Sequence, residues 1–315
     1  MPPTALRHEA LLYAGLSDWL AGVLGFVGPG LAVGDPVVVM ADRPRLGALR
    51  DALGDRSAGV ELVDVHRYGP NPARLIPGWR DLIGGHDRAA RIWGVGEPMW
   101  PGRTPPEVAE VRQHEALVNL AYGDDGRIRF LCPYDVTALG PQAIRTAHDT
   151  HDLVATPEGR VSGPGPLVRD PAAVLAEPLP EPAGPLPSRP FDRTGLGRLR
   201  RAIAETGRDA RLDRARTRDL VLAVDEVATN CIRHGEGVAH VRSWREGGAA
   251  VVEIRDRGRV ADPLAGRVRP APGHVGGWGL WIANQVCDLV QLRTSTAGTV
   301  VRLHVRPRGG DGGRP

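Results

Sequence analysis

The stretch DEVATNCIRHG at residues 225–235 decides how this chain is read. Glu226 and Asn230 stand four positions apart beside small apolar residues, and Arg233, His234 and a glycine follow. Four residues are close to one helical turn, so the carboxylate and the amide share a face. Stepping about 100° per residue puts Leu220, Val224, Val227 and Cys231 in one apolar stripe and Glu226, Asn230 and Arg233 on the opposite side. The core does not account for the polar set. Taken alone, a solvated helix face explains it as well as a site does.

Two downstream segments shift that balance. In VVEIRDRGR at 251–259 a β-rich run stops at Asp256, with Gly258 two residues on. A carboxylate at a strand end can accept a hydrogen bond from an exocyclic amine, and a glycine beside it lets a planar ring approach the backbone. In GHVGGWGLWIANQVCDLV at 273–290, Gly276, Gly277 and Gly279 lead into a helix that continues through Leu280. Free backbone amides at a helix start, backed by the dipole, form an anion site suited to phosphates. Each segment alone is also an ordinary turn or a flexible connection.

In this order the three segments resemble the GHKL ATPase superfamily (DNA gyrase, histidine kinases, MutL and relatives), and within it the anti-sigma-factor serine/threonine kinases. The resemblance covers residues 191–307: EVATNCIRHG stands for the N box, DRG for the first glycine box and GGWGLWI for the second. It implies an α+β sandwich that binds ATP with Mg²⁺. Asn230 would hold the metal, Glu226 would be the general base and Asp256 would read the adenine amino group. Gly277 and Gly279 would lie under the phosphates, with Arg233, His234, Gly258, Gly276 and Leu280 completing the nucleotide site. Two positions depart from the pattern: Val260 replaces a second glycine of the first box, and Trp278 replaces a polar residue between the lid glycines.

Upstream, residues 157–190 are crowded with Pro and Gly and show no sustained period, which predicts a semi-extended linker between two domains. The tail from 308 to 315 offers nothing to bury and reads as disordered. Before the linker, short apolar runs alternate with helix-like segments: PVVVMAD at 36–42, PRLGALRDAL at 44–53, VELVDV at 60–65, AARIWGVG at 89–96 and RIRFLCPYD at 127–135. That order predicts a mainly parallel α/β sheet. Residues 1–156 resemble the MEDS sensory domain through His8, VVVMAD, GEPMW at 96–100, HEALVNL at 114–120 and CPYD at 132–135. The resemblance implies a RecA-like α/β module without a phosphate loop that senses a small molecule, such as a hydrocarbon derivative. Glu97, Trp100, Glu115 and Tyr134 are read as structural pins in preference to ligand contacts. After the linker, the expected elements are helices near 194–207, 213–234 and 279–287, strands near 238–244 and 249–256, and a C-terminal hairpin. Its last strand alternates Val301, Leu303 and Val305 with Arg302 and His304, predicting one covered and one wet face.

All 40 basic residues are Arg, because the sequence contains no Lys. That excludes a Walker A loop, a Schiff base and a protein-kinase strand lysine. Cys132, Cys231 and Cys287 are an odd number without C-x-x-C spacing, so they suggest neither a disulfide framework nor a thiolate zinc site and read as small buried hydrophobes. No uninterrupted apolar run of about 18 residues and no leader-like start occur, so the expected location is cytoplasmic, with no membrane partner. Eight Arg within 198–218 are interleaved with Glu205, Asp209 and Asp213, which favours a solvated face with intrahelical ion pairs over nucleic-acid binding.

The sequence therefore predicts an ATP-dependent regulatory serine/threonine kinase that controls transcription by partner switching with a sigma factor or an anti-sigma-factor antagonist, gated by its N-terminal domain; a homodimer is left open. Two alternatives stand beside it. One is a non-catalytic partner-binding regulator with a vestigial nucleotide pocket. The other is a sensor histidine kinase, suggested by HDLVATP at 151–157, although the Pro/Gly-rich stretch that follows does not continue a helix.

Overall fold

The computed structural model describes residues 5–308 except 69, 88, 157, 158, 164, 235, 236, 272, 274 and 275. The chain divides into two compact units, Met1–Val174 and Leu175–Pro315.

In the first unit, β1 (Arg7–Tyr13), α1 (Gly15–Val33), β2 (Val37–Ala41), α2 (Arg43–Leu53), β3 (Val60–Asp64), α3 (Leu75–Gly84), β4 (Ile92–Gly96), α4 (Pro105–Tyr122), β5 (Ile128–Asp135), α5 (Pro141–Thr150) and β6 (Leu153–Thr156) alternate as expected. A final strand, β7 (Gly159–Ser162), turns back on β6, and a short helix, α6 (Pro166–Arg169), follows. The sheet order is β3-β2-β4-β5-β1-β6-β7, parallel throughout except for β7. VVVMA is buried at every position of β2, as a central parallel strand covered on both faces must be. On one face Trp19, Val23 and Val27 of α1 and Leu46, Leu49 and Leu53 of α2 pack on Val37, Val39, Val95 and Leu131. On the other, Val111 of α4 and Ala143 and Ala147 of α5 pack on Ala10, Leu12, Cys132 and Tyr134.

By length and composition α1 could cross a membrane, a helix that counting uninterrupted apolar runs did not find because Ser17 and Asp18 break the run. Its buried side, Trp19, Val23, Val27 and Gly30, lies on the sheet. The expected pins Glu97 and Trp100 are both engaged. Tyr13 donates its hydroxyl proton to Glu97 (2.6 Å), and the Arg103 guanidinium lies 3.4 Å from the Trp100 ring centre.

Residues 157–190 carry β7, α6 and a turn of 3-10 helix at Pro171–Ala176 before β8 (Arg189–Phe191) opens the second unit's sheet. There follow α7 (Leu196–Asp209), α8 (Arg214–His234), β9 (Ala239–Glu246), β10 (Ala249–Asp256), α9 (Trp278–Val286), β11 (Leu289–Ser295) and β12 (Gly298–Val305). The antiparallel order is β11-β12-β10-β9-β8. Leu220, Val224, Val227 and Cys231 are buried against Ala250, Val252, Ile254, Val301 and Leu303 in a single core, as the helical stripe predicts. Each such aliphatic side chain contributes about 1.5–3 kcal/mol.

The opposite face of this sheet is not wet. Glu253 is 0% exposed, and Gln291, Arg293, Arg302 and His304 are buried beside it. Alternation identifies which side chains share a face, but not whether another segment covers them. Here Arg302 and Arg242 donate to Glu253 (2.7 and 2.6 Å), as does Arg255 (2.6 Å), and Glu181 caps Arg242 and Arg255 from the segment before β8. The Pro180 carbonyl accepts from Arg302. Burial pushes the Glu253 carboxyl up, but the three guanidinium hydrogen bonds outweigh it and hold it down at about 2. The Arg-rich stretch also departs from a purely solvated face. Arg216 is buried and ties the start of α8 to Asp288, to the Val286 carbonyl at the end of α9 and to the Arg306 carbonyl.

One contact fixes how α9 meets α8. A Cβ on Gly279, in the first turn of α9, would lie 2.5 Å from Asn230 Nδ2 and 3.1 Å from Glu226 Oε2. Only a residue without a side chain lets the helix start this close to the polar face of α8.

Two outcomes follow from these contacts. The folded-state carboxyl of Glu253 lies below its unfolded value, so its contribution is fully present above pH ~4.5 and is lost as pH falls toward ~2; it amounts to about 3 kcal/mol. Urea unfolding of Glu253→Gln should show a deficit of that order at neutral pH that shrinks over this acid range, whereas a pH-independent deficit would contradict the charge argument. Gly279→Ala should destabilise this domain by ~1–3 kcal/mol through overpacking against Asn230 and Glu226, read in the same unfolding measurement.

Candidate functional site

The C-terminal half of α8, the end of β10 and the start of α9 border an open cleft of about 250 Å³. Asn230, Cys231 and His234 line it from α8, Asp256 and Gly258 from the end of β10, and Gly277 and Leu280 from the start of α9. Asp256 reaches the helix side because Ile254 and Val252, two and four residues earlier on the same strand, already face the core there. Its Oδ1 accepts the Gly258 amide at 2.5 Å, closing the turn. Burial, then the Asp256 carboxylate, pushes the Cys231 thiol up, so it remains a protonated, weakly polar wall of the cleft.

Val227, Cys231, Val260, Leu280 and Val301 make the apolar lining. Val260 fills the place where the family pattern has a glycine. It packs against the domain core, and its amide donates to Thr294 Oγ1 at 3.2 Å. Thr299, not singled out from the sequence, lines the same end and donates its hydroxyl proton to the Gly258 carbonyl at 2.8 Å. A single Thr in a strand carries no local signal. It became part of the site through the pairing Asp256↔Thr299 between β10 and β12.

A second groove continues from the first and shares Asn230, Gly277 and Leu280 with it. Its other walls come from the segment before α9, among them Asp262, Gly266, Arg269 and Pro270. Asn230 thus sits at the junction of the two grooves, the second of them wider. Glu226 lies one turn earlier beside Gly279 and outside the lining of both grooves. Gly277 caps α9 with φ +77°, a conformation that favours glycine, and Gly276 precedes it at φ +110°. Arg233 is exposed and lines neither groove, and neither do Gly276 or the half-buried Trp278. The N-box glycine at 235 and lid residues 274 and 275 lie outside the described residues.

The donors fit a nucleotide and a hard cation. The first groove is wide and apolar enough for a flat base, with a carboxylate oxygen at its end. At the junction stand an amide and, behind it, a carboxylate, which are oxygen ligands of the kind Mg²⁺ takes. Arg259 and Arg269 supply positive charge in a chain without lysine.

His151, the candidate phosphoacceptor, is fully buried at the end of α5, and burial and the neighbouring His8 hold its ring well below the ordinary histidine value. It offers no exposed nitrogen to a kinase domain. Residues 157 and 158 of that motif's surroundings lie outside the described residues.

Comparison with known proteins agrees with the two-unit division. A family model described as "MEDS: MEthanogen/methylotroph, DcmR Sensory domain" matches residues 7–152, and one described as "Histidine kinase-like ATPase domain" matches residues 190–305. Among solved structures, a crystal structure of the RsbU and RsbW domains of Rv1364c from Mycobacterium tuberculosis is 20% identical, with a TM-score of 0.28 over 39% of this chain and 33% of that one. No curated protein matches the chain significantly. The chain consists of a MEDS sensory domain followed by a histidine kinase-like ATPase domain.

Proposed function

We propose that the second domain binds Mg-ATP and phosphorylates a serine or threonine of a partner protein, a sigma-factor regulator of the anti-sigma antagonist class, under control of the MEDS domain. One observation carries this reading: Asn230, His234, Asp256, Gly258, Gly277 and Leu280, taken from three separated sequence motifs, line one cleft with Glu226 directly behind Asn230. Asp256 would accept the exocyclic amine of adenine while Val227, Val260, Leu280 and Val301 exclude water from the ring. Asn230 would hold Mg²⁺, which when bound neutralises phosphate charge. The amides at the start of α9 would face the phosphates, as helix N-termini do. Glu226 would take the proton from the partner's hydroxyl, acting as general base from the α8 side. The sigma-factor partner, the serine/threonine choice and a cytoplasmic location rest on the motif resemblance alone.

The metal role is tested by calorimetry on the full chain. Wild type should bind ATP more tightly with Mg²⁺ than without, and Asn230→Ala should lose that Mg²⁺-dependent increment. A variant that keeps it removes Asn230 from the metal site.

Glu226 separates a kinase from a binder. Glu226→Gln should leave ATP affinity within a few-fold and lower phosphotransfer to the partner by about 10²–10⁴. Unchanged transfer would remove the catalytic role. ATP binding without transfer in wild type would favour the non-catalytic partner-switching regulator.

A further inference from the structure

Inside the MEDS domain, far from the nucleotide cleft in sequence, four side chains meet with no role in the reading above. His8 from β1, Glu115 from α4, Cys132 from β5 and His151 at the end of α5 are all buried, and one ligand atom from each lies within 4.8 Å of every other. His8 Nε2 is 3.1 Å from Glu115 Oε2 and 3.4 Å from Cys132 Sγ. Glu115 Oε2 is also 3.4 Å from Cys132 Sγ and 3.5 Å from His151 Nε2. A tetrahedral ion with bonds of about 2.0–2.3 Å has ligand-to-ligand edges of about 3.3–3.8 Å, so these four separations are close to the edges of such a shell, and the remaining two, from His151 to His8 and to Cys132, are within 4.8 Å.

The surroundings fix which atoms point inward. Asn119 Nδ2 donates to the Glu115 and Thr150 carbonyls, so its Oδ1 is the acceptor facing His8 Nδ1 at 3.0 Å. His8 therefore donates from Nδ1, and its Nε2 faces the cluster, 3.1 Å from Glu115 Oε2. His151 is fixed the same way, with Nδ1 2.9 Å from the Ala147 carbonyl. Its Nε2 has no hydrogen-bond partner, and neither has Glu115 Oε1. Two imidazole Nε2 atoms, a thiol and a carboxylate thus converge in a buried space, and His151 Nε2 and Glu115 Oε1 have no hydrogen-bond partner there. A bound cation would satisfy these ligand atoms together.

We propose that His8, Glu115, Cys132 and His151 form a binding site for one divalent transition-metal ion of the Zn²⁺ class in the sensory domain. A thiolate with two imidazoles selects such ions over Mg²⁺ or Ca²⁺. Binding displaces the Cys132 proton to solvent, and the thiolate and the Glu115 carboxylate then balance the two positive charges, so the buried site is neutral. Asn119 and the Ala147 carbonyl are positioning groups that hold the two rings. The small cavity bordered by His8, Glu115 and Cys132 is also lined by Met40, Trp79, Val118 and Phe130 and by the polar Glu97 and His114.

The test uses the full-length protein, stripped with a chelator and titrated with Co²⁺ as a spectroscopic substitute for Zn²⁺. One equivalent should bind, with a near-ultraviolet thiolate-to-cobalt band and intense tetrahedral visible bands that Zn²⁺ abolishes. Zn²⁺ should also raise the melting temperature. Cys132→Ser should lose the thiolate band, and Asn119→Ala, acting through His8, should weaken Co²⁺ binding by about 10- to 100-fold. Should Cys132→Ser fail to fold, His151→Gln decides the matter: affinity equal to wild type in the folded variant overturns the site. The proposal is also overturned if folded wild type takes up neither Co²⁺ nor Zn²⁺, or if the thiolate band survives in folded Cys132→Ser.

Discussion

The second domain depends on the close approach of α9 to the polar face of α8. Gly279 stands where any side chain would enter the space of the Asn230 amide and the Glu226 carboxylate. This approach brings the first turn of α9, with Gly277 and Leu280, to the edge of the cleft that Asn230 and Asp256 line. The apolar side of α8 is already committed to the sheet through Leu220, Val224 and Val227. One helix therefore serves as a core element on one side and as a wall of the site on the other, and the glycine joins the two roles.

A second constraint acts through the sheet. Its helix-facing side is apolar, whereas its far side is organised around Glu253, a fully buried carboxylate held by three guanidinium groups. Removing one member of such a cluster leaves buried charge without its partner, which costs more than the pairing itself contributes. The segment bearing Pro180 and Glu181 closes over this face and completes the coordination of Arg242, Arg255 and Arg302. Residues that composition marks as linker thus include part of the domain's packing.

The two domains use burial differently. In the ATPase domain the buried Glu253 carboxylate is satisfied by oppositely charged partners. In the MEDS domain, the cluster of His8, Glu115, Cys132 and His151 leaves His151 Nε2 and Glu115 Oε1 without hydrogen-bond partners. The first pattern stabilises a sheet, and the second is suited to receiving an ion. That contrast separates a structural polar core from a candidate site more clearly than exposure does, since both sets are buried.

The sequence alone determined the features that are local in the chain. The helical period divided α8 into an apolar and a polar side, the alternation of short apolar runs such as VVVMA with helix-like segments marked a parallel α/β sheet, and the three cleft motifs were legible because each lies within a few consecutive residues. The tertiary structure decided what depends on chains crossing. Thr299 joined the site by pairing with Asp256, Val260 entered the lining, Arg233 stayed outside it, and the Arg302 face of the sheet proved buried. Cys132, read from spacing as a small hydrophobe, met His8 across 124 positions because β1 and β5 are neighbours in a parallel sheet. Periodicity reports which way a side chain points, but the partner it finds there is set by the packing of elements remote in sequence.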